Sequence, residues 1–445
     1  MKKIKTLLLN LPSFSSRRYS REIMGGFGME VGDSLRYPPL PLAYTAAIME
    51  REALPVGLLD AEALEMSEER IVDHIRDNGY DLVGVISSLV TLNSDLGFID
   101  RLKDGVVGTK TFLTGPVIHL YKDYVLTRST CDFTINTLND DKPVELVRAL
   151  ESGTVGELKG ISLRTEAGVK HNPDDERMIA MEDLPLPARH LLPNDRYFIA
   201  GMKGPITTVQ TARGCPYRCD ICAYKFSQGY IYRMRPLDAI MAEIEEIVTR
   251  HKVKKIVFRD ITFTVSRKRI MELCDRLIRA NLGITWWAET TLNLVDDELL
   301  AHMKEAGMDA LSLGVESGGE AQQQEHWAQK TFSLEKTKAI FDTCRRLGVK
   351  TRGYFVLGFP GETMESYKET IRWARALRPT TLQFLPYREL PAEIDTYTVV
   401  DPALLKRIKG AYLSYYLAPS NLVRQFLQPK LFLNRIKRFF SLRRG

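Results

Sequence analysis

Short apolar runs alternate with helix-period stretches along the first third of the chain. Residues 4–9, 56–59, 82–87, 111–114 and 132–135 are apolar runs of strand length. Residues 42–51, 67–78, 95–103 and 143–152 carry apolar positions at helical spacing. This βα rhythm predicts a parallel, doubly wound sheet over 1–165, a kind that binds ligands at the carboxyl ends of its strands. Residues 182–193 (EDLPLPARHLLP) include Pro185, Pro187 and Pro193, which forbid a continuous helix. A linker is therefore placed at 166–200. A second, more regular alternation fills 201–390. Strands are expected at 206–211, 255–259, 284–288, 310–314, 351–357 and 381–385. Helices are expected at 236–251, 267–281, 296–306, 334–347 and 363–377, with Pro236 suited to a helix start and Gly348 to a helix end. Six strands with helices between them predict a partial (β/α) barrel. Residues 391–445 are helical in pattern and supply no further strand.

Composition leaves this picture intact. Of 445 residues, 44% are hydrophobic and 27% charged, as in ordinary soluble domains. No apolar run reaches the roughly 18 residues of a membrane span. The opening MKKIKTLLLNLP is basic and then apolar, but it lacks a small-residue cleavage site and Pro12 ends the run; it reads as a first strand. Charge is uneven. Ten basic and no acidic residues follow Asp401, which leaves 1–401 at a net −4 although the whole chain is +6. The stretch LVRQFLQPKLFLNRIKRFF has three readings: an anionic membrane surface, a helix packed on the barrel, or nucleic acid. Its Leu and Phe runs favour apolar insertion with charge attraction over simple phosphate binding.

Six cysteines without a small secreted scaffold point to a reducing compartment, and so to the cytoplasm. Cys131, Cys274 and Cys344 stand alone and read as buried core residues. Cys215, Cys219 and Cys222 fall within eight residues, RGCPYRCDIC, at the carboxyl end of a strand. A structural zinc site closes with four ligands. Three thiolates leave a metal position open, which points to chemistry. Polar or glycine-rich stretches also follow the next four strands: RDITF after the second, ETT after the third, GVESG after the fourth and GFPGET after the fifth. Barrel active sites lie on that rim.

The spacing C-x3-C-x2-C resembles the signature of the radical S-adenosylmethionine superfamily. RGCPYRCDIC resembles the form found in members with an N-terminal cobalamin-binding domain, and the likeness covers most of the chain. It implies a Rossmann-like cobalamin-binding-type domain, a partial (β/α)6 barrel and a helical basic tail. It implies that Cys215, Cys219 and Cys222 hold a [4Fe–4S] cluster whose fourth iron binds S-adenosylmethionine. By the same resemblance Glu316 and Ser317 contact the polar groups of S-adenosylmethionine, and Gly358 and Gly361 lie near its adenine. Asp260 stands where many relatives carry a glycine–acidic motif, here Arg-Asp-Ile. Arg352 or Arg259 is a candidate partner for the cofactor carboxylate. Arg233 and Arg235 match a segment common in the subgroup. The alternative for Asp260, Glu289 and Glu316 is helix N-capping.

In the first domain, Ser87 and Leu89 resemble a Ser-x-Leu motif that cradles the cobalamin nucleotide tail, with Gly115 nearby. No histidine lies between residues 10 and 45, so that loop offers no cobalt ligand. Pro116 and Asn136-Thr137-Leu138-Asn139 depart from the usual pattern. The implied chemistry is methylation, oxidative cyclisation or rearrangement of an unactivated carbon. The implied partners are a flavodoxin or ferredoxin reductant and a small molecule such as a lipid, isoprenoid or tetrapyrrole. A tRNA methylthiotransferase needs a second cluster, for which the first domain offers only Cys131. A cofactor-binding regulator would not need five functional stretches on one rim.

Overall fold

The computed structural model describes residues 3–418 and Asn421, apart from residues 16, 320–322, 324, 328–331, 392 and 395–399. The basic stretch beyond Asn421 lies outside the described residues, and so does any structural account of it. Two compact units emerge: Met1–Thr208 with Ala223–Val253, and Val209–Cys222 with the chain from Lys254 onward.

The first unit is built on a seven-stranded sheet. Its strands are β1 (Thr6–Asn10), β2 (Val56–Asp60), β3 (Leu82–Ile86), β4 (Lys110–Thr114), β5 (Phe133–Ile135), β6 (Ile161–Thr165) and β7 (Gly168–His171). Their order is β7-β6-β5-β4-β3-β1-β2. Pairings from β2 through β5 are parallel. Leu7, Leu8, Leu9, Leu82, Val83 and Val85 are all buried, so β1 and β3 read as continuous apolar runs covered on both faces. Helices α1 (Leu40–Arg51), α2 (Glu68–Asn78), α3 (Leu92–Gly105), α4 (Lys122–Arg128) and α5 (Lys142–Ser152) lie between the strands. Ser67 caps α2 by accepting from the Arg70 N–H, and Gly79 ends it with φ of 60°. The antiparallel hairpin β6–β7 was not expected; β6 continues the sheet against β5.

Linker residue Arg189 is buried and joins Arg235 on the carboxylate of Glu243 in α6 (Leu237–Thr249), all within this unit. Tyr44 of α1 completes the cluster, its hydroxyl 3.1 Å from Arg235 Nη1.

The second sheet has six strands in sequential order: β8 (Thr207–Val209), β9 (Lys255–Phe258), β10 (Thr285–Thr291), β11 (Met308–Glu316), β12 (Lys350–Leu357) and β13 (Thr381–Pro386). Pairs from β9 to β13 are parallel. Helices α7 (Arg267–Ala280), α8 (Asp297–Glu305), α9 (Leu334–Arg346), α10 (Met364–Leu377) and α11 (Pro402–Tyr416) follow. This is the expected partial barrel, with three boundary corrections. β8 stops at Val209, because the N–H groups of Thr211 and Ala212 go to Asp260 and not to a neighbouring strand. β10 continues through Glu289–Thr291 and β11 through Val315–Glu316, segments expected as loops. The β10 extension stays in register, with Glu289 opposite Ser312 and Thr291 opposite Gly314, whereas the β11 extension shifts register against β12 between Gly314 and Glu316.

Candidate active site

The cysteine loop is anchored before it begins. Asp260, just past β9, is buried. Its Oδ1 accepts the N–H of Thr211 at 2.6 Å and of Ala212 at 3.2 Å, and its Oδ2 accepts the Thr211 hydroxyl. Burial pushes the Asp260 carboxyl up to about 6, and these three hydrogen bonds offset only part of that rise. Asp260 is therefore not a helix cap; Ser266 stands at the start of α7. Both of its oxygens are committed to the stem of the cysteine loop. Gly214, with φ of 82°, then turns the chain into Cys215.

Cys215 is buried, its sulfur 3.4 Å from the Thr262 hydroxyl. Cys222 donates its N–H to the Cys219 carbonyl at 3.1 Å, which places these two one tight turn apart. Cys219 packs with Trp327, Val356 and Phe359, and around them lie Tyr217, Ile221, Cys222 and Tyr387. His326, Trp327 and Phe359 meet edge to face at centroid distances of 5.4–5.7 Å. None of the three motif cysteines is in a disulfide. Among the described residues, no three His, Cys, Asp or Glu side chains are gathered tightly enough to hold one metal ion. A cubane cluster asks for something else, since each thiolate binds a different iron and the sulfurs stand apart around it. Cys131, Cys274 and Cys344 are each buried and outside any disulfide, with thiols pushed up to about 12 by burial, as core cysteines should be.

Strand alternation fixes what faces the loop. Val356 of β12 belongs to the apolar cluster that holds Cys219, and Arg352 and Tyr354 share its face of the strand. Tyr354 donates to Glu289 Oε1 at 2.9 Å, the Arg352 guanidinium lies 4.3 Å from the Trp287 ring centre, and Trp287 Nε1 donates to the Ser312 hydroxyl at 2.8 Å. This face is polar and aromatic, whereas Ala288, Leu311, Leu313, Val315, Phe355 and Leu357 on the other face are buried and apolar. Burial, reinforced by the Glu289 charge, raises the Tyr354 phenol well above its ordinary value and keeps it a donor. Glu289 therefore takes a hydrogen bond across the sheet and is not a helix cap.

Glu316 ends β11 with φ of 66°, a costly conformation for a residue with a Cβ. Its carboxylate folds over Gly314, where an added Cβ would lie 2.4 Å from Oε1. Neighbouring Ser317 is fully buried, and its hydroxyl accepts the Gly319 N–H at 3.1 Å and lies 3.3 Å from the Thr370 hydroxyl. Gly358 and Gly361 have φ of 81° and 77°, and no atom crowds the position of a Cβ on Gly361. Of the subgroup arginines, Arg233 reaches the Ile179 carbonyl at 3.3 Å and Arg235 is the buried partner of Glu243.

In the first unit, Ser87 and Gly115 meet at the carboxyl ends of β3 and β4. The Ser87 N–H donates to the Thr114 carbonyl at 2.8 Å, and a Cβ on Gly115 would lie 2.2 Å from the Ser87 carbonyl oxygen. The Ser87 hydroxyl donates to Asp95 at 2.6 Å, a buried carboxylate that also receives Thr91 and Arg21. Leu89 is buried in the turn that follows. Sequence reasoning missed Tyr354, Trp287 and Trp327. The first two were detectable as polar or aromatic residues at alternate positions of a strand, Trp327 only through its contact.

Residues 209–374 match the family model described as "Radical SAM superfamily". An uncharacterized methyltransferase of Pyrococcus horikoshii is 26% identical over 96% of this chain and 95% of its own length. The anaerobic magnesium-protoporphyrin IX monomethyl ester cyclase of Rubrivivax gelatinosus is 26% identical over 80% of this chain, which spans 65% of that enzyme. The radical S-adenosylmethionine methyltransferase TsrM of Kitasatospora setae, solved with cobalamin and a [4Fe–4S] cluster, superposes with a TM-score of 0.69 at 16% identity over 86% of this chain and 72% of its own. The chain shares that parallel α/β fold, and residues 209–374 are a domain of the radical S-adenosylmethionine superfamily.

Proposed function

We propose that the protein is a radical S-adenosylmethionine enzyme that, with cobalamin, methylates or oxidatively rearranges an unactivated carbon of a hydrophobic small molecule. The observation that carries this reading is the cysteine loop: three cysteines outside any disulfide, on a stem pinned by Asp260, walled by Trp327 and Phe359, beside a polar strand face. Cys215, Cys219 and Cys222 are the ligands in this reading. A [4Fe–4S] cluster bound there supplies the electron that splits S-adenosylmethionine into methionine and a 5′-deoxyadenosyl radical. Glu316, Gly358 and Gly361 border the cofactor, and the aromatic wall excludes water from it. Ser317 and Asp260 contribute by shaping the loops, given where their oxygens are committed. Cobalamin belongs at the Ser87–Gly115 strand ends, held without a histidine from the loop after β1. The substrate would be a lipid, isoprenoid or tetrapyrrole, in keeping with the cyclase and methyltransferase relatives.

The reductant is of the flavodoxin or ferredoxin class. Among the described residues no helix is long and apolar enough to cross a membrane. A cytoplasmic enzyme touching the membrane through its basic tail suits this reading. The decisive assay uses S-adenosylmethionine labelled in its methyl group. Label in the product means methyl transfer, and turnover to an unlabelled product means cyclisation or rearrangement. Preparations that bind no corrinoid and still turn over would remove cobalamin from the proposal.

A further inference from the structure

Helix α11 begins 28 residues beyond the segment matched by the family model, yet it grips the glycine-rich loop after β12. Three contacts make the grip. Leu404 fills the space over Gly358 so closely that an added Cβ would lie 2.6 Å from both of its terminal methyls. The Glu362 side chain is 2% exposed, and its Oε2 accepts both the Gly358 N–H at 3.0 Å and Arg407 Nη1 at 3.1 Å. Arg407 in turn lies over the Tyr367 ring, whose hydroxyl donates to the Arg407 carbonyl at 3.0 Å. The helix itself is fixed. The Tyr412 hydroxyl accepts the Phe384 N–H at 3.0 Å, the Tyr415 hydroxyl donates to the Pro379 carbonyl, and Asp401 caps the first turn.

A buried carboxylate with one cationic partner holds its place only while that partner remains. The loop it holds has a further contact. Phe359, next to Gly358, stacks edge to face on Trp327 and shares one apolar cluster with Cys219. We infer that Arg407 and Glu362 are positioning residues that latch the Gly358–Glu362 loop against the cysteine motif and so set affinity for S-adenosylmethionine. This rests on the proposed function for the identity of the ligand, not for the latch itself.

Removing Arg407 leaves Glu362 a buried charge without its cation, which drives the side chain outward toward water and takes the acceptor away from the Gly358 N–H. Glu362→Gln keeps an acceptor for that N–H and needs no cation. The anaerobically reconstituted full chain and its R407A, R407K, E362Q and R407A/E362Q variants are compared by equilibrium dialysis with S-adenosylmethionine, by iron content, and by hydrogen exchange of peptides covering 355–363. R407A should weaken S-adenosylmethionine binding about tenfold or more at unchanged iron content and speed exchange at Gly358. R407K and the double variant should recover most of both. Equal exchange and equal binding in R407A and wild type would overturn the latch. If wild type binds no S-adenosylmethionine, the proposed function fails while exchange alone still decides the latch: faster exchange in R407A supports it and unchanged exchange refutes it.

Discussion

Asp260 does at the residue scale what the motif itself cannot. It takes the two N–H groups that β8 leaves unpaired and so fixes where the cysteine loop departs. Asp260→Ala should leave those groups buried without an acceptor and lower iron incorporation, whereas Asp260→Asn should keep most of it. The same pair of variants tests the carboxyl's burial. Its folded value of about 6 lies above the ordinary 3.8, so the folded chain keeps a proton that the unfolded chain releases between those values. The group's contribution to stability is therefore present below pH 3.8 and is lost as pH rises through 6. Asp260→Asn escapes that loss, so apoprotein melts should shift in favour of Asn by up to about 3 kcal/mol between pH 4 and pH 7. Equal shifts in both proteins would mean that Asp260 ionises as freely as an exposed carboxylate. The cysteines were legible in sequence because their chemistry is packed into eight consecutive residues. Asp260 was legible as a rim residue but not as an anchor, since its partners lie 48 and 49 positions away.

Among the elements, the parallel strands and most of their helices could be read from apolar periodicity, usually to within a few residues of the observed bounds; α4, only seven residues long, could not. The hairpin β6–β7 could not. Its outer strand GVKH is short and mostly exposed, an edge with no apolar alternation to betray it. The polar face of β10–β12 was hidden for a related reason. Glu289 and Tyr354 acquire meaning only when register brings them within 2.9 Å, 65 positions apart. The Arg189–Glu243–Arg235 cluster is likewise nonlocal, and it ties the linker and α6 into the first unit. Glu243→Ala would leave two buried guanidinium groups facing each other and should destabilise that unit by about 3–5 kcal/mol, read as an early thermal transition. A melt indistinguishable from wild type would mean that solvent reaches the cluster.

For the whole molecule, the charge asymmetry sets a separate test. Seven basic residues and no acidic ones follow Asn421, so the net +6 belongs to the tail and not to the body. A chain ending at Asn421 should keep its cluster but lose cosedimentation with phosphatidylserine vesicles, and binding by the full chain should fall with added salt. Vesicle binding that survives the truncation would place the contact elsewhere.

In the proposed function, Cys215, Cys219 and Cys222 hold the cluster that cleaves S-adenosylmethionine. The most direct measurement is release of 5′-deoxyadenosine by the anaerobically reconstituted, chemically reduced protein, beside its C215A, C219A and C222A variants. The expected result is release by wild type and its loss in each variant. Release that is unchanged in the variants, or absent from wild type at full iron content, would contradict it.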